Sequence, residues 1–258
     1  MKAKMAIKLT LIQGDCMKVL PKMPDASVDL VVTDPPYFIL NTVSKIQKEA
    51  KDWDSFEDML AYKSFTTKYL NELYRIMKDN TSCCLFWSER HLFAFDEIIQ
   101  QTKFNLHKIL IWHYPNILKG FSNKRWHNTF DFIFHLTKGK ASTFNASFVK
   151  GENIDVWRFP KPQFNFKKDH KYHSTQKPLE LIKRLIKILS NPNDTVLDPF
   201  LGSGTTMHAC LELNRNCIGV EINPEYINIT KKRLNWGHSL GDVEFEFYEF
   251  ENHENNQA

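Results

Sequence analysis

Residues 195–210 read TVLDPFLGSGTTMHAC, and their order decides the fold. A short apolar strand runs to an acid, Asp198. A loop holding Gly202 and Gly204 follows, and Thr205 opens a helical run. Glycine lets the chain turn sharply and lets a ligand approach the backbone closely. The start of a helix offers N–H groups that have no partner within the helix. Residues 215–221, RNCIGVE, then supply a second strand, which ends in Glu221, 23 residues after Asp198. An acid at the end of a neighbouring strand can accept both hydroxyls of a ribose, as in dinucleotide-binding sheets.

The ligand can be read further. A hydride-transfer cofactor favours G-x-G-x-x-G, with a pyrophosphate at the helix start. Here the string is G-x-G-T-T, preceded by Asp198, Pro199 and Phe200. A carboxylate so close would repel a pyrophosphate and suit a cation, such as a sulfonium or an α-amino group. That points to S-adenosylmethionine.

Outward from this unit, strand and helix signals alternate. Apolar, β-rich runs fall at 8–13, 28–32, 83–87, 108–113, 130–136, 195–197 and 217–220. Between them, Ser55 with Asp58 predicts a helix cap, followed by a stripe of Tyr62, Phe65, Tyr69, Leu73 and Ile76. Pro178 suits a first helical position, Ile182, Leu185, Ile186 and Leu189 share one face, and the turn NPND at 191–194 ends it. Such alternation predicts an α/β fold, a Rossmann-like mixed sheet with helices on both faces. Residues 38–54 read as a mobile polar loop. Residues 138–173 mix Lys and Arg with aromatics and read as a small insertion within a single domain spanning 1–258. The acidic–apolar alternation DVEFEFYEF near the end predicts an edge strand or a contact with another subunit.

A second corner stands at 28–38, VDLVVTDPPYF. The strand Val28 to Val32 runs into Asp34, Pro35, Pro36 and Tyr37 without a polar spacer. Two prolines cannot continue a central strand, so they make a stiff bend. A strand-end turn is the plain reading of any Asp-Pro. Here both corners fall at the C-terminal ends of strands in one predicted sheet, the edge where open α/β sheets bind ligands.

Composition narrows the partners. Net charge is +4, yet residues 138–171 hold eight Lys/Arg and three Asp/Glu. The rest of the chain is therefore slightly acidic, and the local surplus points to a polyanion or to a solvated face. Five cysteines, Cys16, Cys83, Cys84, Cys210 and Cys217, form no CxxC and no even framework, which predicts reduced packing residues and no metal site. No apolar run approaches the ~20 residues of a bilayer span, and the N-terminal apolar stretch is too short for a signal peptide. The expected location is cytoplasmic, with no membrane partner.

Taken together, these motifs resemble the β-group of amino-methylating DNA methyltransferases, over roughly residues 9–236. TDPPYF matches the family's catalytic motif, VLDPFLGSGT its cofactor motif, HSTQKPLELIKRLI the helix ahead of it, and IQGDCMKVL its N-terminal Gly-Asp element. The resemblance implies an S-adenosylmethionine-dependent methyltransferase fold with 138–173 as the target-recognition insertion. It implies methyl transfer to the exocyclic N6 amino group of adenine in double-stranded DNA. An aromatic amine is a poor nucleophile because its lone pair is spread into the ring. Asp34 and the Pro35 carbonyl can each accept one N–H, so the corner Asp34, Pro35, Pro36 and Tyr37 is the expected catalytic unit. The base must leave the duplex, and Tyr37 can stack on it, worth ~1–3 kcal/mol by analogy with single-strand binders.

Further residues carry over by the same resemblance. Asp15 and Cys16 are expected near the cofactor's adenine, although Asp15 also reads as a turn acid. Lys177 and the following helix start are expected to hold the methionine carboxylate. Phe200, Gly202, Ser203, Gly204, Thr205, Asp198, Glu221 and Asp34 complete the expected cofactor set; Phe200 reads equally well as core. His173 and Ser174 read as cofactor or phosphate contacts or as local caps. DNA contacts are expected from Lys161, Lys167 and Lys168, from Lys124, Arg125, Trp126 and His127 in a second loop, and from Trp53, which could equally anchor its own loop. The family often pairs, so the resemblance leaves room for a homodimer and for a cognate restriction endonuclease acting on the same site. N4-cytosine methylation needs the same acceptors, but that group more often has Ser at the Asp34 position. An RNA or protein-amide substrate, a non-catalytic nucleic-acid-binding module and a nicotinamide dehydrogenase are the remaining alternatives.

Overall fold

The computed structural model describes residues 6–38, 54–116, 126–140, 143–149, 154–162, 176–238 and 242–250. Among them a sheet of nine strands carries the fold: β1 (Ile7–Gln13), β2 (Val28–Thr33), β3 (Met77–Trp87), β4 (Asn105–His113), β5 (Phe130–Lys138), β6 (Val156–Arg158), β7 (Thr195–Asp198), β8 (Asn216–Glu221) and β9 (Val243–Glu249). The spatial order is β6-β4-β5-β3-β2-β7-β8-β1-β9. Every pairing is parallel except the two that β5 makes. Because β5 runs the other way, its N-terminal end lies at the same edge as the C-terminal ends of its neighbours.

Burial on both faces explains the unbroken apolar runs in the central strands. In β2 the alternation sends Leu30 and Val32 to one face and Val31 to the other. On the first face they meet Leu181, Ile182, Leu185 and Ile186 of α4 (Leu179–Leu189) and Met207, Ala209 and Cys210 of α5 (Thr205–Leu213). Val31 instead packs with Tyr69, Leu70 and Leu73 of α2 (Met59–Ile76) and with Phe95 and Ile98 of α3 (Leu92–Ile99). A short α1 (Cys16–Val19) follows β1, and α6 (Pro224–Arg233) follows β8. The layered α/β sheet expected from the sequence is thus present, with all seven predicted strands in it.

Four details differ from or refine the expectation. The cap of α2 is Asp58, whose carboxylate accepts the Ala61 N–H at 2.8 Å. Ser55 lies three residues too early, because the first helical turn opens only at Met59. Pro178 sits one residue ahead of α4, with ψ of 133°. The fixed φ of proline fits this extended position as well as the first helical one. Part of the stretch read as an insertion, Val156–Arg158, joins the sheet beside β4. Finally, β9 is an edge strand, registered from Ile7↔Val243 to Gln13↔Glu249 and tied to β1 by Lys8–Glu246 at 2.6 Å. All five cysteines are buried and none is in a disulfide. No described helix is long and apolar enough to cross a membrane.

Candidate active site

The sheet's connections part between β7 and β2. The chain goes from β7 to β8 on one side and from β2 to β3 on the other. Such a switch point leaves a crevice at the strand ends, and both sequence corners open into it.

On the β7 side, Asp198 is buried and takes three hydrogen bonds. The Thr206 hydroxyl donates to Oδ2 at 2.6 Å, while the Thr33 hydroxyl and the Phe200 N–H donate to Oδ1 at 3.0 and 3.1 Å. Burial pushes its carboxyl up to about 7; those three donors oppose the rise and the Asp34 charge adds to it. The glycine loop then turns with φ of +54° at Gly202 and +79° at Gly204. A side chain at Gly204 would meet Thr230 at 2.7 Å, whereas one at Gly202 would enter open space. Gly204 is therefore a packing glycine, and Gly202 leaves room at the cleft.

Glu221, at the end of β8, holds this loop. Its Oε2 accepts the Gly202 N–H at 2.7 Å and its Oε1 accepts the Asn223 N–H at 2.8 Å. The Ile222 N–H also bears on the carboxylate, which keeps acceptor capacity for a further donor. Burial raises its carboxyl above the ordinary range. Gly14 donates to the Glu221 carbonyl at 3.0 Å, which brings the end of β1 alongside. Asp15 there caps α1 by accepting the Met17 N–H at 2.9 Å, as a turn acid would. Burial, then the charge of Asp15, pushes the Cys16 thiol well up.

On the β2 side, the Asp34 carboxylate is gripped at both oxygens. The Tyr37 hydroxyl donates to Oδ1 and the Lys177 ammonium to Oδ2. Pro35 and Pro36 are buried. The corner is clamped on its far side too: Phe38 has φ of +53°, stacks on Tyr62 at 5.6 Å and meets Phe56 edge-on at 5.7 Å. Asp131, from the reversed strand β5, completes the surroundings; burial is the main cause of its raised carboxyl, with Lys177 and Lys161 opposing.

Both corners line one cleft of about 310 Å³, the low end of the range for small-molecule sites, roughly 300–1,000 Å³. Asp34, Pro35, Pro36 and Tyr37 border it, with Asp15, Cys16, Lys177, Asp198, Phe200, Gly202, Ser203, Thr205 and Glu221. Gly204 alone of the expected cofactor set does not border it. Phe200 serves the core as well, edge-on to Tyr69 at 5.3 Å. Lys161 lies near the site with its ammonium 3.6 Å from the centre of the Tyr114 ring. Trp126 is 99% exposed. Trp53, Lys124, Arg125, Lys167 and Lys168 lie outside the described residues, as do His173 and Ser174.

The sequence reading missed Ile222 and Asp131. Ile222 borders the cleft yet is 57% exposed; an isoleucine directly after the strand-ending Glu221 was the available signal. Asp131 carried none, because its place depends on β5 running backwards.

Residues 28–232 match the family model described as DNA methylase, N6_N4_Mtase. The chain belongs to the N6/N4 DNA methylase family. Its relatives include the Type II methyltransferase M.HinfI of Haemophilus influenzae, 34% identical over 87% of this chain and 68% of that protein. The Type II methyltransferase M2.MboI of Moraxella bovis is 30% identical over 86% of each. Among solved structures, the M1.HpyAVI–SAM complex is 27% identical, with a TM-score of 0.63 over 87% of this methylase and 99% of that chain. PvuII DNA methyltransferase (cytosine-N4-specific) reaches 0.73 over 93% and 92%, at 20% identity, a likeness of fold alone.

Proposed function

We propose that this methylase transfers a methyl group from S-adenosylmethionine to the N6 amino group of adenine in double-stranded DNA. The observation that carries the reading is the meeting of two chemistries in one cleft. A cation-suited acid, Asp198, and an acceptor corner, Asp34-Pro35, are joined through Thr33.

The residues fit the cofactor. Glu221 keeps acceptor capacity for ribose hydroxyls, Gly202 leaves space beside its backbone, and the Asp198 carboxylate suits a positive amino-acid portion. Asp15, Cys16 and the exposed Ile222 offer a wall for an adenine ring, and Ser203 and Thr205 extend the methionine side. A solved relative, M1.HpyAVI, is complexed with SAM. When bound, S-adenosylmethionine supplies a methyl carbon activated by its positive sulfur.

The chain's own work is then to hold the amine. Asp34 and the Pro35 carbonyl accept its two N–H bonds and turn its lone pair outward. The two prolines and the Phe38 clamp keep those acceptors from moving, so little reorganisation is needed at the moment of reaction. Tyr37 offers a ring for the extruded base. Lys161 would meet the DNA, as would Lys167, Lys168, Lys124, Arg125 and Trp53, which lie outside the described residues. Adenine is preferred to cytosine because the first corner residue is Asp34 rather than Ser. The relatives' Type II names favour a cognate endonuclease sharing the site.

Nucleoside mass spectrometry of DNA incubated with the methylase and labelled cofactor is the test. N6-methyladenine is expected; N4-methylcytosine in its place would overturn the base assignment. Asp34→Ala should abolish transfer while cofactor binding persists.

A further inference from the structure

Lys177 stands two residues ahead of α4, 143 residues from Asp34 in sequence, yet its ammonium is bonded to the Asp34 Oδ2. The Lys177 side chain is only 8% exposed. Ring centres of Phe86, Tyr37 and Trp112 lie 5.1, 5.4 and 5.8 Å from the ammonium. A buried ammonium is costly unless paired, and Asp34 is its bonded partner. Asp131 is a second carboxylate acting on it, and Lys161 shares that field.

We propose that Lys177 acts in methyl transfer through Asp34, as a positioning residue, rather than by holding the cofactor's carboxylate. The proposal rests on the methylase reading of the cleft. A carboxylate can rotate about its bond to the chain, and rotation would swing its acceptor lone pairs away from an incoming amine. The ammonium on one oxygen and the Tyr37 hydroxyl on the other stop that rotation. The remaining lone pairs face the cleft in a fixed plane. The rings around the ammonium hold it in place, and its charge offsets that of Asp34, in a field that Asp131 also enters.

The two roles separate in kinetics. Lys177→Met fills similar space without charge. On the positioning role, kcat at saturating cofactor falls by about 10²-fold or more while cofactor affinity stays within about threefold. Lys177→Arg restores the charge and should recover kcat to within about tenfold of the parent. In an Asp34→Asn background the ion pair is gone and only a neutral acceptor faces the ammonium, so adding Lys177→Met should lower kcat by less than about threefold. Cofactor affinity weakened more than about tenfold with kcat unchanged would overturn the proposal and make Lys177 a cofactor ligand. Equal losses from Lys177→Met in the parent and in Asp34→Asn would overturn it too. Should Lys177→Met alone fail to fold, the double variant, which leaves no unpaired buried charge, is compared with Asp34→Asn, and an added kcat loss of about 10²-fold would sink the idea. Failure of the parent protein to methylate any DNA would overturn the underlying reading, and that failure is seen before any variant is made.

Discussion

The Thr33 hydroxyl donates to Asp198 Oδ1 at 3.0 Å, across two neighbouring parallel strands. Thr33 immediately precedes the acceptor corner, and Asp198 immediately precedes the glycine loop. One buried hydrogen bond thus sets the distance between the place where an amine would be held and the place where a cation would be held.

Thr33→Val should loosen that setting. A buried hydrogen bond of this kind is worth about 1 kcal/mol net. Cofactor affinity measured by calorimetry should weaken by roughly fivefold. Turnover should fall further than affinity, because orientation is lost along with binding.

Asp198 also predicts a pH dependence. Its carboxyl is pushed up to about 7 in the folded protein, mainly by burial. An unfolded aspartate titrates near ~4. The folded form therefore binds an extra proton between these values, so this group's contribution to stability is full below ~4 and is lost as pH rises through about 7. A positive ligand favours the ionised form. Cofactor affinity should rise with pH through this range, with proton release on binding at pH ~6, read from buffer-dependent calorimetric heats. Asp198→Asn should remove both the pH dependence and the proton release, and weaken binding at pH 8.

The two loop glycines should part ways. Gly204→Ala forces a methyl group into Thr230 at 2.7 Å and strains a positive φ. It should cost about 2 kcal/mol or more in a denaturant melt. Gly202→Ala meets open space and carries only the φ penalty, about 1–2 kcal/mol. Its larger effect should be on cofactor binding, because the added methyl group stands in the room left beside the backbone.

Glu221→Gln keeps the length of the side chain but exchanges one acceptor oxygen for a donor. That donor would face the N–H of Gly202 or of Asn223, which the carboxylate now satisfies at 2.7 and 2.8 Å. Losing a charge-assisted hydrogen bond is worth about 1.5–3 kcal/mol. Cofactor affinity should drop by roughly 10- to 100-fold, with a smaller fall in melting temperature.

The sheet was readable because its central strands are buried on both faces, and β-branched runs such as Val28–Val32 have few other homes. The two corners were readable for another reason: proline at a strand end bars its continuation, and paired glycines mark a turn that other residues take only with strain. Strand β6 was not, since three residues with burial on one side only leave no periodic trace. Helix α3 carries Phe93, 86% exposed, which blurs the apolar stripe that would have announced it. The Asp34–Lys177 pair could not be read from spacing at all, because it depends on where α4 docks against β2. The same holds for Asp131, which reaches the site only through the reversed strand β5.

The sheet order has a consequence for how the chain is made. Among the nine strands of the sheet β1 is made before the rest, yet its two neighbours, β8 and β9, are made after all the others. It waits without a partner while β2 to β7 are synthesised. Pairings this distant slow folding and lengthen the exposure of apolar edges. The nascent protein should therefore lean on chaperones until residues 216–249 emerge, and a ribosome stalled before that point should hold a chain with no completed cleft.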